Sequence, residues 1–66
     1  MKLESAATGR HMIFNNAAGN PVRVFPATGE AIANEAVNDG VLVAPGDAVS
    51  FIAVSTSQWA AIGNYT

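Results

Sequence analysis

Short apolar runs alternate with turn signals along most of this chain. The signals are Asn15-Asn16, Gly19-Asn20-Pro21, Thr28-Gly29, Asn38-Asp39-Gly40, Pro45-Gly46-Asp47 and Gly63-Asn64, and Val, Ile and Phe crowd the runs between them. Punctuation at roughly every 8–12 residues is the mark of an all-β chain. Most intervals are too short for a helix to recover its nucleation cost. Met12–Asn15 predicts a short first strand. Val22–Phe25 predicts a second, with Val22 and Val24 on one face and Arg23 and Phe25 on the other. Pro21 opens that strand and Pro26 closes it, because a proline cannot donate to the ladder.

Ala27-Thr28-Gly29-Glu30 reads as a tight turn in which glycine takes a positive φ. Ala31–Val37 lacks a clean period and is expected to be irregular with a short extended piece. Asn38-Asp39-Gly40 predicts a type I′ hairpin turn. Val41–Ala44 is the next strand, and Pro45-Gly46 suits the two central positions of a type II turn. The longest strand is Ala48–Ser55. Val49, Phe51 and Ala53 share one face, while Ser50, Ile52 and Val54 share the other. With apolar residues on both faces it is expected to be covered on both sides. Thr56-Ser57 turns the chain into a last strand, Gln58–Ile62, which carries Trp59. The last three strands read as a meander. The expected fold is therefore all-β, with short antiparallel strands in a small sandwich or barrel-like meander that oligomerisation completes.

Composition also points to oligomerisation. The chain has 66 residues, half of them apolar, and no cysteine. Residues 1–12, MKLESAATGRHM, are polar and aperiodic, and their His11-Met12 pair matches a common cloning scar. They are read as a vector-derived tag or linker, disordered or arm-like, outside a single domain spanning 13–66. They are too polar for a signal peptide. A domain this small buries little of its surface, and below roughly 70 residues a lone core supplies little net stability. Without cysteines there is no disulfide, and no His/Cys cluster exists to hold zinc. Self-association is the remaining staple. The body carries Arg23 against Glu30, Glu35, Asp39 and Asp47. One arginine cannot neutralise a run of phosphates, so nucleic acid is excluded as a partner. No apolar run reaches the ~20 residues of a membrane span, and an anionic membrane surface would repel the chain.

Catalytic chemistry is scarce. The body has serines and threonines but neither histidine nor lysine to activate them, so no nucleophile is expected. Its four carboxylates sit in or beside turns, where solvated acids are the plain expectation over a glycosidase pair. No Asp-x-Asp-x-Asp loop suggests calcium. Gly29, Gly40 and Gly46 are separated by whole elements and are turn glycines, not a phosphate loop. No cofactor or metal is expected. Trp59 has two readings, a packing anchor or a platform for a sugar ring, and the anchor is favoured. The expected oligomer interface is Val49, Phe51, Ile52, Val54, Trp59 and Ile62.

One string carries more information than its parts. Val22–Ile32 reads Val-x-Val-aromatic-Pro-Ala-x-Gly-x-x-Ile. An Asn- and Ala-rich stretch follows, then Val41–Gly46 with Val-Leu-Val-Ala-Pro-Gly. An apolar strand then ends in Ser55-x-x-Gln58-Trp59. Ile13–Asn20 supplies an apolar strand with an Asn/Gly turn as lead-in. In order and spacing this resembles a short β-rich module of bacteriophage virion and prophage-encoded structural proteins. It departs in having Ala33 after Ile32, where such modules often have asparagine. The resemblance implies a non-enzymatic piece of a phage particle, such as a fibre, spike or capsid-associated protein. That protein would be made in the bacterial cytoplasm and located in the virion, with copies of itself and other virion proteins as partners. Such pieces are commonly trimeric, although a dimer would satisfy the composition equally. The alternative is a module that binds carbohydrate or a host surface through Trp59.

Overall fold

A computed structural model describes all 66 residues. It contains six strands and no helix: β1 (His11–Asn15), β2 (Val22–Val24), β3 (Ala31–Ile32), β4 (Val41–Val43), β5 (Ala48–Ala53) and β6 (Gln58–Gly63). The protein is all-β, as its turn spacing predicts. Four strands form one sheet in the order β1-β5-β6-β3, and β2 pairs with β4 in a separate ribbon. The contacts β1–β5, β5–β6 and β2–β4 are antiparallel, while the two-residue β3 lies parallel to β6.

One core fills the space between ribbon and sheet. Val24, Val41 and Val43 of the ribbon join Ile32, Val49, Phe51, Ala53 and Trp59 of the sheet. Strand alternation produces this. β5 pairs Val49 with Phe14, and Phe51 with both Met12 and Ala61, so these residues share the inner face. The same alternation sends Ser50, Ile52 and Val54 outward, and the chain itself supplies no layer over them. Within a single chain the expected cover is present on one face, and the other is the face left for a second subunit to cover.

The local turns follow their residues in two cases and depart in a third. Glu30 N–H donates to the Ala27 carbonyl at 3.0 Å around Gly29 at φ 86°. Asp47 N–H donates to the Ala44 carbonyl at 3.1 Å around Gly46 at φ 84°, the positive φ that a type II turn needs. The Asn38-Asp39-Gly40 hairpin does not form. A type I′ turn needs left-handed backbone at two successive residues. Here Asn38 alone adopts it, at φ 71°, and Asp39 N–H bonds back to the Ala36 carbonyl. Gly40 serves a different purpose, because a Cβ there would lie 2.8 Å from the Val24 carbonyl oxygen. The glycine lets β4 approach β2 closely. That pairing also breaks the expected meander: β4 joins β2, and only β5 and β6 form the predicted hairpin.

Residues 1–12, expected to stand apart from the domain, are packed into it. Leu3 and Ala6 are 3% and 8% exposed and belong to the core. Phe25 N–H donates to the Met1 carbonyl and Leu3 N–H to the Phe25 carbonyl, both at 2.8 Å, so the segment adds to the edge of the ribbon. Gly9 N–H then reaches the Ala53 carbonyl, and the chain enters β1. Polar spacing hid this, since two small apolar contacts and backbone bonds do the holding.

Two substitutions test the arrangement. Leu3→Ala is expected to cost about 2–4 kcal/mol from lost burial and the cavity left behind. Gly40→Ala is expected to cost about 1–3 kcal/mol from overpacking. Urea titration followed by Trp59 emission reads both. A Leu3→Ala midpoint equal to wild type would show the first segment detached in solution.

Candidate assembly surface

The six residues expected at an oligomer interface divide cleanly. Val49, Phe51 and Trp59 are at most 1% exposed within the single chain, so they belong to its own core and have nothing left to offer a partner. Ile52 is half-buried, and Val54 and Ile62 are 55% and 63% exposed. Both apolar faces of β5 look alike in sequence. The structure assigns the 49-51-53 set inward because it is the set that meets Trp59, which pairs with Ala53.

Trp59 is held by a buried carboxylate. Its Nε1–H donates to Glu30 Oε1 at 3.1 Å, and the Ala6 backbone N–H lies 3.0 and 2.9 Å from the two Glu30 oxygens. A buried polar group without a partner costs several kcal/mol, and every buried side-chain polar atom in this chain is satisfied. Asn16, 1% exposed, obeys the same rule. Its Nδ2 donates to the Asn20 and Val43 carbonyls, and its Oδ1 accepts from Ala18 N–H. Glu30, read from sequence as a solvated turn acid, is therefore a packing element. Trp59 presents no ring face to solvent, so it provides no platform for a sugar.

What remains on the surface is the outer face of the four-stranded sheet. Strand register sets its rows: His11, Ile52 and Ala60 lie abreast, then Ile13, Ser50 and Ile62, with Val54 at one end. Ile13 is 68% exposed. No Lys, Arg, Asp or Glu belongs to these rows. An uncharged face that exposes Ile13, Val54 and Ile62 on a small protein is a candidate interaction site. Sequence reading missed Ile13 because it sat beside the segment set outside the domain.

Other groups are dispersed. Arg23 is exposed and unpaired, and the one ion pair, Arg10 with Glu4 at 3.9 Å, is a surface contact of little energetic weight. Nowhere do three His, Asp or Glu side chains gather as a metal site requires. The open cleft between Met1, Lys2, Phe25, Pro26, Thr28 and Asn38 contains no carboxylate or imidazole. No protein family, curated protein or solved structure matches this chain.

The anchor role of Trp59 has a spectroscopic consequence. Its emission should be blue-shifted, shielded from iodide and unchanged by added sugars. Glu30→Ala leaves the indole and the Ala6 N–H without their acceptor and should cost about 2–4 kcal/mol in a urea melt. An iodide-quenched indole would contradict the burial.

Proposed function

We propose that this chain is a non-enzymatic structural module that works by self-association, within a phage particle. The observation that carries the assembly reading is the charge-free outer face bearing Ile13, Ile52, Val54 and Ile62. Two copies meeting there remove apolar surface from water with no like-charge penalty. The virion setting is supported separately, by the resemblance of Val22–Ile62 to phage structural modules. Other virion proteins would present surfaces of the same apolar kind. Three-fold symmetry comes from the resemblance alone, since the face itself sets no symmetry.

Catalysis has no support from the side chains present. The single histidine, His11, lies on the outer face abreast of Ile52 and Ala60, and the side-chain bonds of Thr28, Ser55 and Glu30 all go to other residues. A carbohydrate-binding role loses its proposed residue with the burial of Trp59.

Sedimentation equilibrium over a wide concentration range is the test. The wild-type chain should associate, and its Tm should rise with protomer concentration. A Val54→Asp/Ile62→Asp variant should stay folded and associate more weakly than wild type, because both side chains already face solvent and their loss leaves the core intact. A wild-type chain that stays single at every concentration would overturn the reading.

A further inference from the structure

Strand edges in this fold are mostly covered. The outer edge of β2 is occupied by the Met1–Leu3 segment, and that of β4 by Thr66, which exchanges both backbone bonds with Leu42 at 2.9 Å. β3 is two residues long, and beyond it only Ala61 and Gly63 of β6 lack a neighbouring strand. β1 is the exception. Asn16 N–H donates to the Asp47 carbonyl and Ala53 N–H to the Arg10 carbonyl, which fixes the phase of the β1–β5 ladder. In an antiparallel pair every second residue bonds the partner. Met12 and Phe14 therefore turn their backbone groups toward β5, and His11, Ile13 and Asn15 turn theirs away. No hydrogen bond within the chain uses those outward groups.

We propose that β1 pairs with β1 of a second copy across a two-fold axis at Ile13, joining two four-stranded sheets into one of eight strands. The register follows from counting donors and acceptors. Each copy offers three N–H and three carbonyl groups, on His11, Ile13 and Asn15. Antiparallel pairing of His11 with the second copy's Asn15, and of Ile13 with its Ile13, satisfies all of them. A shift of two residues either way orphans some. The occupant is a second copy because the edge is complementary to itself in this way. The strand HMIFN also carries none of the devices that keep edges apart, having no lysine, proline or bulge. Pairing also places the two outer faces side by side as one apolar surface, with exposed Ile13 against its counterpart. This inference rests on the self-association reading and adds a second contact to it, because edge pairing joins the two outer faces without covering them.

The backbone gives a selective test. Ile13 N–H is unused inside one chain, and proline is tolerated on an edge whose N–H faces solvent. Ile13→Pro should keep the fold, seen as unchanged Trp59 emission, yet weaken association by about ten- to a hundredfold through two lost donors per dimer. Ile13→Ala keeps the donor and should weaken it less. Amide exchange of the wild-type chain provides a second measurement that needs no variant. The amides of His11, Ile13 and Asn15 should slow by about tenfold or more as concentration rises through the association range, while Met12 and Phe14 are slow throughout. Association with those three amides unprotected, a trimer included, or equal weakening by Pro and Ala would overturn the edge pairing and leave the assembly reading standing. A chain that is single at all concentrations would remove both.

Discussion

The contact of Trp59 with Glu30 ties three parts of the chain together through one buried carboxylate. Trp59 comes from β6, Glu30 from the turn before β3, and Ala6 from the opening segment. The indole fills the centre of the core, where its bulk contributes most to burial. Its N–H would be costly there alone. Glu30 accepts from it and, with both oxygens, from Ala6 N–H. Once Glu30 is in place, β3 lies parallel against β6 at Ala31 and Ile32. The first segment is drawn over the core, so Leu3 joins the cluster that contains Val24 and Phe51. A polar node thus decides how an apolar core is assembled, since valines and alanines alone would accept several arrangements.

That core has one side. The ribbon of β2 and β4, with the first segment, covers the inner face of the larger sheet and leaves Ile13, Val54 and Ile62 of the outer face exposed. In a longer domain a further layer would bury Ile13, Ile52, Val54 and Ile62. Here Ile13, Val54 and Ile62 stand in water and Ile52 is half-buried, while only eight Lys, Arg, Asp and Glu side chains keep the whole chain solvated. Composition and geometry therefore meet at one surface, although composition points equally to residues that the core consumes.

Much of the fold was legible in the sequence because turn chemistry is local. Gly29 and Gly46 take the positive φ their turns require, and every apolar run of β-branched residues became a strand. What escaped reading was non-local. Nothing near Val41 indicates that it should pair with Val24 instead of continuing into β5, and the reason, the close approach permitted at Gly40, involves a carbonyl sixteen residues away. Parity in β5 was also hidden. Its two faces differ by one residue of register, and both are apolar, so only the position of Trp59 across from Ala53 separates core from surface. The opening segment escaped for a related reason. Leu3 and Ala6 are three residues apart in a polar stretch, a spacing that matches no strand, because the segment is held by backbone bonds and Glu30 and forms no regular element.

Face and edge differ in what they can specify. An apolar face attracts any apolar partner, and its free energy scales with the area covered, whatever the rotation of one copy on the other. A strand edge is directional. It accepts only another edge, antiparallel or parallel, and in this chain only one antiparallel register leaves no donor or acceptor unused. Hydrogen bonds exchanged for water contribute modestly to affinity, while a misaligned register leaves polar groups desolvated and unpaired. In the proposed dimer the open edge of β1 therefore sets register and orientation, while the two outer faces lie side by side, uncovered and free to take a further copy.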